Sequence, residues 1–136
     1  MTRSVDNNGI GALYATFDIT QTEGAYDLTL DNVGDAVALA DNNQINHGAD
    51  GGKILGRLAH VSGGLATVQL AGVARLNVNT GETPPAVGDA VVVDGAGKVY
   101  QAPAIAGATG DPAGGNVARG TVLAVDSTLH TCDVLL

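Results

Sequence analysis

Hydrophobic and polar residues alternate along most of this chain, and the period is that of a β-strand. Leu13, Ala15, Phe17 and Ile19 fall on one face of a segment whose other face is mostly polar. A period of two is typical of a strand with one buried face. The same alternation, together with short apolar runs, predicts further strands at 26–30, 65–70, 74–78, 90–93, 99–101, 117–125 and 129–136.

Short polar turns that contain glycine separate the predicted strands. Asp50–Gly52, Ser62–Gly64 and Asp94–Gly97 are three of them, and tight turns favour Gly, Asn, Asp and Ser. The 20 glycines among 136 residues would interrupt most helices, and the one candidate helical stretch, 53–61, is short. The pattern predicts an all-β fold, a small β-barrel or β-sandwich.

The chain contains an internal repeat. Val33–Leu39 (VGDAVAL) returns 54 residues later as Val87–Val93 (VGDAVVV). A second shared pattern follows at an offset of 64 residues, so the second copy holds about ten extra residues, which we place at 103–115. The members of this second pattern are Gly56/Gly120, Val61/Val125, Leu65/Leu129, Thr67/Thr131 and Leu70/Val134. We therefore expect a duplicated strand-turn unit, 33–70 and 87–134, within a β domain at 32–136.

Residues 1–31 lie outside this repeat and are predicted to form an N-terminal hairpin or assembly arm. They hold the only Phe and two of the three Tyr, and aromatic residues often anchor interfaces. An alternating strand can also add to a neighbouring sheet. The alternative is that the segment is the first hairpin of the chain's own barrel. The predicted partner contacts are Leu13, Tyr14, Phe17, Ile19 and Tyr26.

Composition narrows the classes of function. The net charge is −8 and the six basic residues are scattered, so we expect neither nucleic acid nor a membrane as a partner. The N-terminus lacks the apolar region of a secretory signal, and Cys132 is the only cysteine. Both observations favour synthesis in a cytoplasm. Since aromatic residues are scarce, the core is expected to be thin and to be completed by assembly.

Three groups of residues could carry chemistry. Asp35 and Asp89 are related by the repeat and could form a carboxylate pair, but a Gly-Asp step before a strand is more typical of a turn whose carboxylate accepts backbone N–H bonds. Residues 48–53 resemble a phosphate-binding loop, but the spacing is wrong and Ile54 follows the lysine. We predict no catalytic residue and no cofactor.

His130 and Cys132 lie two residues apart on a predicted strand and could share a metal ion. A structural zinc site requires four such ligands, and the other histidines are distant in the sequence. The repeat aligns Cys132 with Val68 and His130 with Ala66. This alignment predicts a buried, free cysteine among aliphatic side chains and no metal site.

The segment from Ile54 to the C-terminus resembles the small phage head-decoration, or capsid cement, proteins. A glycine-led strand, a Val-x-Leu strand with a Gly-Val step, Val-Gly-Asp-x-Val, a Gly-Lys-Val hairpin and a second glycine-led strand occur in the order of that family. Where that family usually has an aromatic residue shortly after Gly-Val, this chain has Ala74. The matching segments are Ile54–Leu58, Val68–Val73, Val87–Val91, Gly97–Tyr100, Ala118–Val122 and Val134–Leu136.

The resemblance implies a virion protein without catalytic activity. Such a protein would bind the major capsid protein on the outer surface of an icosahedral phage head, as a homotrimer at or near three-fold positions. Two alternatives remain open at this point. One is another virion β module from a tail or spike, and the other is a small β-barrel enzyme, since Glu23–Leu28 resembles a motif of the trimeric dUTPases.

Overall fold

The protein is all-β, as predicted. The structure, a computed structural model, describes residues 5–103 and 118–136. Leu30–Asn32 form a 3₁₀ turn. The strands of the described residues are β1 Leu13–Ile19, β2 Gln21–Thr22, β3 Ala25–Tyr26, β4 Ala36–Asp41, β5 Gln44–Asn46, β6 Gly56–Ser62, β7 Leu65–Ala71, β8 Val73–Asn77, β9 Val91–Val93, β10 Val99–Gln101, β11 Thr121–Asp126 and β12 Thr131–Leu135.

The first half of the chain forms a closed five-stranded barrel in the order β1-β5-β4-β6-β7. Strand β1 closes it, since β1 is antiparallel to β7 and also pairs with β5 in parallel through Ile19 and Ile45. The remaining neighbours are antiparallel. Closure removes most of the free edges that an open sheet of the same strands would carry, although β5 pairs with β1 only at Asp18 and Ile19.

In the second half, a two-stranded sheet β10-β9 and a three-stranded sheet β11-β12-β8 together form a second ring in the matching order β8-β10-β9-β11-β12. Strand β12 is antiparallel to both β8 and β11, and β9 is antiparallel to β10. Two isolated bridges complete the circle, the parallel pair Val78 and Val99 and the antiparallel pair Val91 and Arg119. Each strand of the second ring therefore has the neighbours of its counterpart in the first, with β1, β4, β5, β6 and β7 matching β8, β9, β10, β11 and β12.

The hydrogen bonds at the repeated Val-Gly-Asp turn match between the two rings. The Gly34 N–H donates to the Leu58 carbonyl at 2.8 Å, and the Gly88 N–H donates to the Val122 carbonyl at 2.8 Å. Both glycines have positive φ, 100° and 91°, a region that side chains disfavour. The register shift after Leu58 in β6 recurs after Val122 in β11. The duplication is therefore structural as well as sequential.

Strand β1, which precedes the predicted boundary at residue 31, is part of the closed barrel. The parallel pair Ile19–Ile45 in the first ring is matched by Val78–Val99 in the second, so β1 belongs to the repeat as the counterpart of β8. Sequence comparison missed this because the two strands share alternation but few identical residues. For β1, the structure has the arrangement that was the alternative, a strand of the chain's own barrel.

The alignment predicted from the sequence repeat places β12 two residues out of register with β7. Leu58 pairs with Val68, whereas its counterpart Val122 pairs with Val134. Cys132 therefore matches Ala66, and not Val68 as predicted. The hairpin between β11 and β12 is two residues longer than that between β6 and β7, which explains the shift. The ten extra residues expected at 103–115 lie outside the described residues, except for Pro103.

Two hydrophobic clusters fill the two rings. The first contains Ile19, Leu28, Val37, Ile45, Leu58, Val61, Ala66 and Val68. The second contains Ile54, Leu76, Val91, Val93, Val99, Val122, Cys132 and Val134, together with Ala36 and Ala38 from β4. Strand β4 thus places alternate residues in both clusters, because successive side chains point to opposite faces. The two rings share this strand as a common wall.

Arg119 joins the rings by binding backbone carbonyls of the first. One terminal guanidinium nitrogen donates to the Leu70 carbonyl oxygen at 2.6 Å, and the other donates to the carbonyls of Leu55 and Ile54. A single planar guanidinium can serve several acceptors because its five N–H donors are fixed in direction. This residue therefore binds carbonyl groups at the end of β7 and just before β6.

Cys132 is buried and free, as predicted. Burial and, to a smaller extent, the nearby Asp133 carboxylate raise the pKa of its thiol to about 12. Only the thiolate reacts readily with thiol reagents. We expect native protein at pH 8 to be labelled by a maleimide at least about a hundredfold more slowly than protein in urea. Mass spectrometry of quenched samples measures this, and equal rates would contradict the burial.

Candidate interaction surface

The five predicted contact residues lie on two elements and differ in exposure. Leu13, Tyr14 and Tyr26 are exposed, whereas Ile19 is buried and Phe17 packs partly against the first core. Alternation along β1 separates Tyr14 from Phe17 and Ile19, which point into the barrel that β1 closes. Leu13 lies at the start of the strand, before a register shift in its pairing with β7. Nothing in the structure tests their contact with a partner, so that assignment stays a prediction.

Tyr26 lies against the turn between β6 and β7. A Cβ added at Gly64, which has a φ of 84°, would come within 2.5 Å of the Tyr26 hydroxyl oxygen. The absence of a side chain there lets the ring lie close to the backbone. Tyr26, Leu28 and Leu30 line one side of a surface groove of about 580 Å³, and residues 60–64 line the other. The β2–β3 hairpin is therefore held against its own barrel.

The N-terminal residues 5–12 lie along β8. The Gly9 N–H donates to the Val73 carbonyl at 2.8 Å, and the Val73 N–H donates to the Ile10 carbonyl at 2.9 Å. The Arg75 N–H donates to Oδ1 of Asn8 at 3.2 Å. Gly11 crosses next to Gly72, where an added Cβ would lie 2.5 Å from the Gly11 carbonyl carbon. The segment thus covers the edge of β8 in its own chain.

Arg75 ties this segment to the sheet. Its guanidinium binds both oxygens of Asp133, the residue directly opposite on β12, at 2.8 and 3.1 Å, and it reaches Asp6 at 3.0 Å. The hydrogen bond to Asp133 raises the pKa of Arg75, and the Asn8 N–H and then Arg75 lower the pKa of Asp6. A bidentate pair of this kind fixes geometry as well as charge.

Asp89 holds its turn through a backbone N–H, as the structural interpretation predicted, whereas the described partners of the Asp35 carboxylate are the side chains of His47 and Asn32. Oδ2 of Asp89 accepts the Ala86 N–H at 2.8 Å and the Gln101 side-chain N–H at 2.8 Å. Oδ2 of Asp35 lies 2.9 Å from Nε2 of His47. His47 and Gln101 occupy matching positions, since Gln101 lies 54 residues after His47, as Asp89 lies 54 residues after Asp35. The two carboxylates therefore have separate partners and do not form a pair.

Replacing His47 by glutamine is expected to be tolerated, because Gln101 fills the matching place in the second ring. We expect the free energy of unfolding of H47Q to stay within about 0.5 kcal/mol of the parent. His47→Leu leaves the half-buried Asp35 without this partner and is expected to cost about 1–2 kcal/mol. Urea unfolding followed by circular dichroism measures both. Equal destabilisation by the two changes would contradict the equivalence.

The Asp89 carboxylate is expected to make a contribution to stability that is lost in acid. The Ala86 N–H and then Gln101 lower its pKa below the ordinary 3.8, so the folded state favours the carboxylate. That contribution is complete at pH values well above 3.8 and is lost as the pH falls through the lowered pKa. We expect Asp89→Asn to lower the urea midpoint at pH 7 and to flatten its decline between about pH 5 and pH 3. An acid decline as steep as in the parent would contradict this role.

Large apolar side chains are exposed on both rings. Val33 and Val87, the residues before the two Gly-Asp turns, are both exposed, at 40% and 69%. Sequence reasoning missed this pair because a valine next to a strand reads as core. The others are Val5, Ile10, Leu13, Tyr14, Tyr26, Leu30, Leu39, Leu65, Leu123, Val125, Leu129 and Leu135.

The described residues offer no group of three or more metal-ligating side chains. Among the same residues there is no helix that is long and apolar enough to cross a membrane. Comparison with family models, curated proteins and solved structures finds no match to the chain. The case for a function therefore rests on the repeat, the exposed apolar side chains and the charge of the surface.

Proposed function

We propose that this chain is a non-enzymatic virion protein that binds the outer surface of an icosahedral phage head and stabilises it. The observation that carries the proposal is the duplication of a scaffold. Two equivalent rings present related surfaces twice, with Val33 and Val87 exposed at matching turns. Weak contacts that recur on one molecule, and again on symmetry-related copies, add through avidity. A shell with many identical sites is a partner on which such repetition is useful.

The polar groups with the most specific geometry support this proposal. Asp35 bonds His47, Asp89 bonds Gln101, and Arg75 bonds Asp133. Each of these pairs holds a turn or two paired strands together, so the residues that could carry chemistry serve the scaffold. The resemblance from Ile54 to the C-terminus adds the partner and the symmetry. The partner would be the major capsid protein, and the assembly a homotrimer at or near three-fold positions.

Reconstitution on stripped heads tests the proposal. Virions of the phage that encodes the chain are treated with mild denaturant to remove loosely held surface proteins, and the heads are incubated with purified protein. We expect the protein to sediment with the heads, to saturate at three chains per three-fold position and to raise their disruption temperature. Intact virions, whose sites are already filled, are the control. Recovery with tails alone, or no binding to stripped heads, would overturn the proposal.

A further inference from the structure

The edge of β1 that faces away from β7 is the counterpart of the β8 edge that residues 8–10 cover. The Ile19 N–H donates to the Gly64 carbonyl toward β7, and the Asp18 N–H donates the other way, to Asn43. Successive residues of a strand point their backbone groups to opposite sides. The backbone N–H and C=O groups of Tyr14 and Thr16 therefore point away from β7. Their counterparts on β8 are Val73 and Arg75, the two residues that bind the N-terminal segment.

No described residue pairs with this part of β1. Strand β5 pairs only with Asp18 and Ile19 of β1. The pairing on this side therefore begins at Asp18 and does not include Tyr14 or Thr16. The side chains of Tyr14 and Thr16 are exposed. Soluble proteins commonly protect an open edge with a lysine, a proline or a covering segment, and Leu13–Ile19 contains neither of those residues. Among the residues that the structure describes, the first ring therefore lacks the cover that the second ring has.

Charge indicates what would cover the edge. On β8 the covering segment brings an acid, Asp6, to a base, Arg75. Beside the β1 edge the charges are acidic. Asp18 pairs with Gln44 and Gln44 pairs with Asp41, so two exposed carboxylates flank one glutamine in adjacent strands. Between Arg3 and Lys53 the chain has eight acidic residues and neither lysine nor arginine. A second copy of the same acidic edge would be repelled.

We infer that the β1 edge at Tyr14 and Thr16 binds a peptide segment of a partner that carries lysine or arginine. The segment bonds to the backbone groups of those two residues, as residues 9 and 10 bond to Val73, and its basic side chains lie near Asp18 and Asp41. Backbone bonds supply the docking, and the carboxylates supply selectivity. The source of the segment rests on the proposed function, under which it belongs to the shell protein.

Amide hydrogen exchange measured by NMR on the full chain tests this inference. The probes are two ten-residue peptides, one alternating lysine and valine and the other alternating glutamate and valine. At a tenfold excess over its dissociation constant, the lysine peptide is expected to slow exchange of the Tyr14 and Thr16 amides roughly tenfold. The glutamate peptide is expected to leave both rates unchanged. Equal protection by the two peptides, or protection by neither, would overturn the inference.

Two sets of variants locate the effect. Thr16→Lys places a positive charge on the edge, which repels the lysine peptide, and is expected to remove the protection. Thr121→Lys, at an exposed position on β11, is the matched control. Because Thr16→Lys could disturb folding, Asp18→Asn with Asp41→Asn removes the carboxylates instead and is expected to weaken the lysine peptide at least about fivefold. An unchanged affinity in that double variant would contradict the assigned selectivity.

Sedimentation equilibrium tests the alternative that a second copy of the chain covers the edge. If the chain dimerises without peptide, and Thr16→Lys but not Thr121→Lys abolishes the dimer, then a second copy covers the edge and the inference is wrong.

The experiments distinguish a failure of this inference from a failure of the proposed function. Heads that bind the protein while the peptide protects neither amide would overturn only the inference. Protection by the peptide without binding to stripped heads would overturn only the proposed function.

Discussion

Replacing Gly56 by alanine is expected to lower the free energy of unfolding by about 3–5 kcal/mol, a large part of the stability of a small domain. An added Cβ would overlap the carbonyl oxygen of Gln69 and lie 2.9 Å from Cγ1 of Val68. Both neighbours belong to β7, which pairs with β6 along its length. Since β6 also pairs with β4 at Gly56, neither strand can move aside without opening the first ring.

The matched control is Gly81→Ala. Gly81 is exposed, its nearest neighbour is the Asn79 side chain, 3.3 Å from the added Cβ, and its φ lies outside the positive range. We expect this variant to stay within about 0.5 kcal/mol of the parent. Urea unfolding followed by circular dichroism compares the two. A Gly56→Ala protein with the parent's midpoint would show that β6 and β7 are not packed as described.

Arg119→Leu is expected to cost about 2–4 kcal/mol. The change keeps an aliphatic stem but leaves the carbonyls of Leu55 and Leu70 without their donor. Since these carbonyls belong to the first ring and Arg119 to the second, the loss falls on the junction between the rings. We expect the unfolding transition to broaden as the two rings become less coupled.

Lys98→Leu is the control for the lost charge, because Lys98 is exposed and its side chain makes no described hydrogen bond. We expect Lys98→Leu to stay within about 0.5 kcal/mol of the parent. Differential scanning calorimetry reads both the midpoint and the cooperativity. If Arg119→Leu and Lys98→Leu behave alike, Arg119 does not join the rings.

The fold class followed from alternation and turns, and both are local properties of the sequence. The Val-Gly-Asp turn could be recognised twice because a positive φ at Gly34 and Gly88 restricts the residue type. The equivalence of β1 and β8 could not, because many apolar residues satisfy a strand that needs only one buried face. Closure of the ring by Ile19 and Ile45 depends on contacts between distant residues.

The candidate surface was only partly predictable for the same reason. Their aromatic character identified Tyr14 and Phe17 together as contacts, but ring closure turned Phe17 inward and left Tyr14 outside. The role of Arg119 had no sequence signal, since a lone arginine near a glycine-rich stretch has no preferred partner. Carbonyl groups at the ends of β6 and β7 created its site, and those ends became visible only in three dimensions.

Electron cryomicroscopy of reconstituted heads tests the central claim most directly. At a resolution that separates strands, the proposal predicts added density on the outer surface near the three-fold positions, into which both five-stranded rings fit. It also predicts a backbone segment of the shell protein beside Tyr14 and Thr16. Density that fits the two rings only in the tail or inside the shell, or heads without added density, would contradict the account.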